Sequence, residues 1–182
     1  KPESLDEPII SSKIEAEFLR KPLRLIHPTL DGKSTNFFEW QSAGIIENSG
    51  FFGAMYGQNS SFDVNKIFFG FGENKFYIRI DTNRPPADII GENYVFVVEF
   101  EHTIRVRINI GKSMEYLIWR EDSKLWKTIE LQAEIAIGKV IEIAMPIRPF
   151  KLEPHDKFKW LVFTEEEGNI RERYPKNGAI EC

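Results

Sequence analysis

Apolar and polar residues alternate in short runs along most of this chain. The clearest unit lies at 66–81, where Ile67, Phe69 and Phe71 alternate with Phe68, Gly70 and Gly72. The turn Gly72-Glu73-Asn74 follows, then Phe76, Ile78 and Ile80 alternate with Tyr77, Arg79 and Asp81. Two period-two runs joined by a short Gly/Asn turn predict a β-hairpin with one buried face. In 104–110, Ile104, Val106, Ile108 and Ile110 share one face and Arg105, Arg107 and Asn109 the other. Further strands are predicted at 94–100, 114–120, 125–131, 135–137, 140–145, 158–164, 170–174 and 179–182. An acidic turn is expected at 164–168, and the Pro85-Pro86 pair marks 84–91 as loop.

About ten strands at this spacing, with no helical period between them, predict an all-β fold: a two-sheet antiparallel sandwich of jelly-roll type. A closed barrel is the rival arrangement. Residues 1–22 are polar and carry Pro2, Pro8 and Pro22. They read as a connector with one possible short helix over 14–20, which leaves 23–182 as the β-sandwich domain. The chain opens on Lys1 without a signal-like apolar stretch, so it reads as a piece of a longer protein.

Composition narrows the classes. Hydrophobic residues make up 42% and charged residues 29%, an ordinary globular balance. The net charge of −4 comes from mixed signs, and the only local basic excess surrounds Arg105, Arg107 and Lys112, which argues against a nucleic-acid partner. The apolar runs are too short for a membrane span. The one cysteine, Cys182, excludes a disulfide framework and fits a reducing, cytoplasmic setting. Phe, Ile, Lys and Glu are abundant and Gln is scarce, as in thermophiles or under AT-rich coding.

No catalytic set emerges, so the chain by itself reads as a non-enzyme. His27, His102 and His155 are scattered and lack a nucleophile elbow or catalytic Cys context. No ligand-spaced His or Cys pair implies a metal or other cofactor. Asp31, Asp63, Asp81 and Asp88 could serve a hard cation, but they fit turn and cap roles better. Glu39, between Phe38 and Trp40, needs a partner if it is buried. Gly50, Gly53 and Gly57 lack the strand-to-helix context of a phosphate loop.

Aromatic residues on polar faces remain. A sugar's C–H face stacks on Trp or Tyr, with polar groups beside it fixing its orientation. Strand parity sends Tyr77 to the side of Arg79 and Asp81, and sends Trp119 and Trp126 to polar company. These five residues form the candidate carbohydrate-binding set. The competing role for the rings is to cover sheet edges or meet a parent protein. Trp40 and Trp160, among apolar neighbours, are assigned to the core.

The stretch Leu30-Asp31-Gly32-Lys33, Phe37-Phe38-Glu39-Trp40, Ala43-Gly44 and Gly53-Ala54-Met55 resembles the C-terminal region of long, amylase-like family 57 glycoside hydrolases. The 67–81 hairpin and the ending Glu172-Arg173-Tyr174-Pro175 through Gly178 fit the same resemblance. Asp31-Gly32, the 76–81 strand and Ile141-Glu142-Ile143-Ala144-Met145-Pro146 are also similar to family 9 carbohydrate-binding modules. The resemblance runs from about Leu23 onward. It implies a non-catalytic accessory domain whose partners are the parent enzyme's catalytic domain and an α-glucan. A purely structural, docking or oligomerisation role is the alternative.

Overall fold

The computed structural model describes residues 17–34, 37–48, 63–101, 105–150 and 156–182. Among the described residues thirteen strands, against about ten expected, form the two antiparallel sheets that the alternating pattern predicts. The first sheet contains β1 (Glu17–Arg20), β2 (Gly44–Asn48), β3 (Val64–Phe71), β4 (Lys75–Thr82), β9 (Glu134–Ile137) and β10 (Val140–Pro146). Its order is β1-β2-β3-β4-β10-β9. The second sheet contains β5 (Tyr94–Glu101), β6 (Arg105–Ile110), β7 (Met114–Arg120), β8 (Leu125–Thr128), β11 (Lys159–Glu166), β12 (Asn169–Tyr174) and β13 (Ile180–Glu181). Its order is β12-β11-β5-β6-β7-β8, with β13 also pairing to β11. Among the described residues, no helix is long and apolar enough to cross a membrane.

The predicted hairpin is β3–β4, with Ile67 opposite Ile80 and Phe69 opposite Ile78. Their inward side chains meet Phe96, Val98, Phe100, Val106, Ile108 and Ile110 from the second sheet in one continuous core. Phe76 is fully buried at its centre. Its ring lies edge-on to those of Phe158 at 5.1 Å and Trp160 at 5.5 Å. Edge-to-face aromatic pairs add to simple area burial, which suits a core this rich in Phe.

Several boundaries differ from the sequence reading. Residues 17–20, expected within a short helix, are strand β1, because pairing with β2 supplies backbone partners that four residues of helix could not. Residues 14–16 of that expected helix lie outside the described residues. The strand predicted over 125–131 stops at Thr128. The turn expected at 164–168 is narrower: β11 continues through Glu166, and Glu167 and Gly168 turn with positive φ. Within the loop at 84–91, Pro86–Ile89 form one helical turn that starts on Pro86.

Residues 23–34 and 37–43 lie over the outer face of the first sheet. Ile26, Trp40 and Ala43 pack there on Phe68, forming a second, smaller cluster. The Asp31-Gly32 turn fixes this segment to the β9–β10 hairpin. Gly32 has φ +67°, and its carbonyl accepts from Lys139 N at 2.7 Å. A Cβ on Gly138 would sit 2.4 Å from that oxygen, so the close approach requires glycine.

Candidate functional site

The turn Glu121-Asp122-Ser123-Lys124 sets the β7–β8 register so that Trp119 lies directly opposite Trp126. The two indoles pack edge to face, 5.5 Å between centroids, on the outer surface of the second sheet. Neighbouring β6 sends Arg105 and Arg107 to the same face. The Arg107 guanidinium lies 4.7 Å from the centre of the Trp126 ring and 5.2 Å from that of Phe163. Arg105 lies 5.3 Å from Trp126 and 5.9 Å from Trp119. Cation–π attraction at these distances holds the rings and guanidinium groups in one array.

Glu99 on β5 lies beneath both arginines and is only 6% exposed. Its Oε1 accepts from Arg105, and its Oε2 accepts from Arg107 Nη2 at 2.9 Å. A buried carboxylate requires such partners, and here two guanidinium groups share one charge. At the rim, Trp119 Nε1 donates to Glu121 Oε1 at 2.6 Å. The hydrogen bond from Lys124, and then that from Trp119, hold the Glu121 carboxyl below the usual range.

The five expected site residues fall into two groups on different sheets. Trp119 and Trp126 touch each other, whereas Tyr77, Arg79 and Asp81 lie on the outer face of the first sheet. There Arg79 is 5% exposed, grips Asp81 with Nε at 2.6 Å and Nη2 at 3.0 Å, and covers the Phe68 ring at 5.2 Å. Tyr77 packs against the smaller cluster of Ile26, Trp40, Ala43 and Phe68. Arg79 and Asp81 therefore satisfy each other and Tyr77 is partly covered, whereas the Trp119–Trp126 pair stays half-buried at the surface of the second sheet with its own contacts to Arg105, Arg107 and Glu121.

Glu39 accepts from Thr29 N at 2.8 Å, so it ties the covering segment to itself. Asp31 accepts from Lys33 N, and Asp63 is bonded by Arg84 and by the Tyr94 hydroxyl at 2.7 Å. Among the described residues no group of three or more His, Cys, Asp or Glu is arranged to hold a metal ion. His27 is exposed, while His102, His155, Gly50, Gly53 and Gly57 lie outside the described residues. A groove of about 650 Å³ runs beside β9, lined by Lys75, Glu130, Leu131, Gln132, Glu134 and Pro146 among others, but by none of the five expected residues. Its Lys75 and Glu134 satisfy each other at 2.6 Å.

Sequence reasoning missed Glu99, Arg105 and Arg107 as parts of one site. The Arg-x-Arg spacing on a half-buried strand was the available signal. Two outward arginines need a counter-charge, and Glu99 has the matching parity one strand away.

Cys182 accepts a hydrogen bond from Trp160 Nε1 at 3.1 Å, and burial pushes its thiol up to about 11. At mildly alkaline pH the thiolate is therefore rare. Alkylation of the folded chain should run roughly a hundredfold slower than that of the urea-unfolded chain. Equal rates would show an accessible, ordinary thiol.

Comparison with known proteins returns nothing: no family model, no curated protein and no solved structure matches this chain.

Proposed function

We propose that this β-sandwich is a non-catalytic accessory domain of a family 57 type glycoside hydrolase, and that it holds α-glucan on the outer face of its second sheet. The observation that carries the reading is the Trp119–Trp126 pair, whose rings are half-buried, flanked by Arg105, and held in place by hydrogen bonds and cation–π contacts. Fixed indoles give a sugar's C–H face a surface to stack on at little entropic cost, and adjacent guanidinium N–H groups can orient its hydroxyls. The resemblance of the 30–55 stretch to family 57 enzymes supplies the α-glucan and the catalytic-domain partner. The catalytic acids then belong to the parent's barrel.

Docking onto that barrel is the second reading. It is favoured by Leu125, 61% exposed on the edge strand β8, opposite Arg120 and next in sequence to Trp126. An exposed apolar residue on an edge strand that also carries a surface tryptophan suits a protein–protein contact.

Tryptophan fluorescence during titration with maltooligosaccharides and glycogen separates the two. Trp40 and Trp160 are both 1% exposed and contribute a constant background. A saturable shift is expected, weakened about two- to tenfold in Trp126→Ala, since loss of one stacking ring removes about 0.5–1.5 kcal/mol. A flat response from the intact chain would move the assignment to docking. Protection of Trp119 and Trp126 from quenchers by the catalytic region would then be the result to seek.

A further inference from the structure

We infer that the Trp119–Trp126 face takes an uncharged glycan, and that Arg105 is the residue that recognises the ligand's hydroxyls. The inference rests on the reading of this face as a glycan site. It adds which donor of Arg105 makes the polar contact and the charge pairing around Glu99 that excludes acidic polymers.

Arg105 spends Nε and Nη2 on Glu99 Oε1. Its Nη1 makes no hydrogen bond among the described residues, and the side chain is 42% exposed between the two indoles. A guanidinium is a rigid fork, so fixing one edge on Glu99 fixes the direction of the other. Nη1 thus presents two N–H donors beside the rings on which a sugar would stack. Two donors on one nitrogen suit the adjacent hydroxyl oxygens of a sugar, which are acceptors on neighbouring carbons.

The charge class follows from Glu99. Its buried carboxylate accepts from both arginines, and Glu165 lies 3.8 Å from Arg107 Nη1. Arg105, Arg107 and Lys124 against Glu99, Glu165 and Glu121 leave the face without net charge. A uronic-acid or sulfated polymer would therefore find no uncompensated cation and would meet the carboxylates of Glu165 and Glu121. Complementary potential is what lets a surface choose a charged ligand, and this surface offers none.

Titrating the full chain by calorimetry with maltoheptaose and with polygalacturonate tests the inference. Salt is raised from about 0.01 M to about 1 M, which shortens the screening length from about 30 Å to about 3 Å. The intact chain should bind maltoheptaose with less than about a twofold change across that range and should not bind polygalacturonate. Arg105→Lys keeps the charge and loses the fork, so maltoheptaose binding should fall about tenfold. Glu99→Gln keeps the side-chain shape and leaves the face with one net positive charge, since Glu165 still faces Arg107. It should gain salt-sensitive polygalacturonate binding, a gain that a merely structural glutamate would not give. Near-ultraviolet circular dichroism of the buried tryptophans checks folding, and Glu99→Gln keeps the test open if Arg105→Lys fails to fold.

Arg105→Lys binding maltoheptaose as tightly as the intact chain, with Trp126→Ala defective, would remove Arg105 from recognition and leave the glycan reading standing. Polygalacturonate binding by the intact chain would overturn the uncharged class. No binding of either polymer by the intact chain would end both the inference and the reading beneath it.

Discussion

Replacing Phe76 by alanine should lower the unfolding free energy by about 3–5 kcal/mol, the range for removing a fully buried aromatic ring. Phe76 has no exposed surface and sits where both sheets meet. Its ring faces Phe71 and Phe158 at 5.1 Å, Trp160 at 5.5 Å, Phe100 at 6.1 Å and Phe69 at 6.5 Å. Alanine would leave a cavity lined by five large rings, and these collapse poorly into a void because Phe69 with Trp160 and Phe71 with Phe158 hold each other edge-on. Urea unfolding followed by tryptophan fluorescence measures the effect. The midpoint should drop with the slope unchanged, since the surface exposed on unfolding hardly alters. Phe76→Leu retains much of the volume and should cost clearly less. A change under about 1 kcal/mol for alanine would mean that the core repacks freely and that the edge-to-face arrangement contributes little.

The core was legible because a strand's period of two sorts residues without reference to the rest of the chain. Phe76, Ile78 and Ile80 could be sent inward from the local pattern alone. The same parity placed Trp119 and Trp126 on the polar face, and the short turn between their strands brought them opposite each other. Four residues carry no usable period, so Glu17-Phe18-Leu19-Arg20 read as the end of a helix, and only the partner strand β2 makes them a strand. Segment 23–43 was likewise opaque, since its packing depends on Phe68, Glu142 and Gly138, all distant in sequence. The array on the second sheet divides the same way. Each arginine's face could be read from its own strand, whereas the shared Glu99 depends on which strand lies alongside.

Glu142 shows how far such long-range dependence reaches, and Glu142→Ala should destabilise the chain by about 2–4 kcal/mol. The residue is fully buried on β10, and its Oε2 accepts from Asp31 N and Gly32 N, both at 2.9 Å. Those donors lie 111 and 110 residues away in sequence, at the turn that pins 23–43 to the first sheet. Alanine would leave the two amides without their acceptor, and each buried amide left unmade costs about 1–3 kcal/mol. One term opposes this loss. Oε1 is buried with no partner among the described residues, so removing the carboxylate also relieves a desolvation penalty. The balance stays unfavourable, because the relief comes from one oxygen and the loss from two charge-assisted bonds. Glu142→Gln isolates the charge: its carbonyl can accept from both amides, so it should cost about 1 kcal/mol or less. Hydrogen exchange at the Asp31 and Gly32 amides locates the effect. Alanine should release both amides before the core strands exchange, because the segment is held by this turn and by a small cluster around Trp40. It should also uncover Tyr77 and Phe68, which are now packed beneath that segment. Unchanged exchange at both amides in Glu142→Ala would show that the Trp40 cluster alone holds the cover. Tyr77 would then owe its burial to apolar packing and nothing to the buried carboxylate.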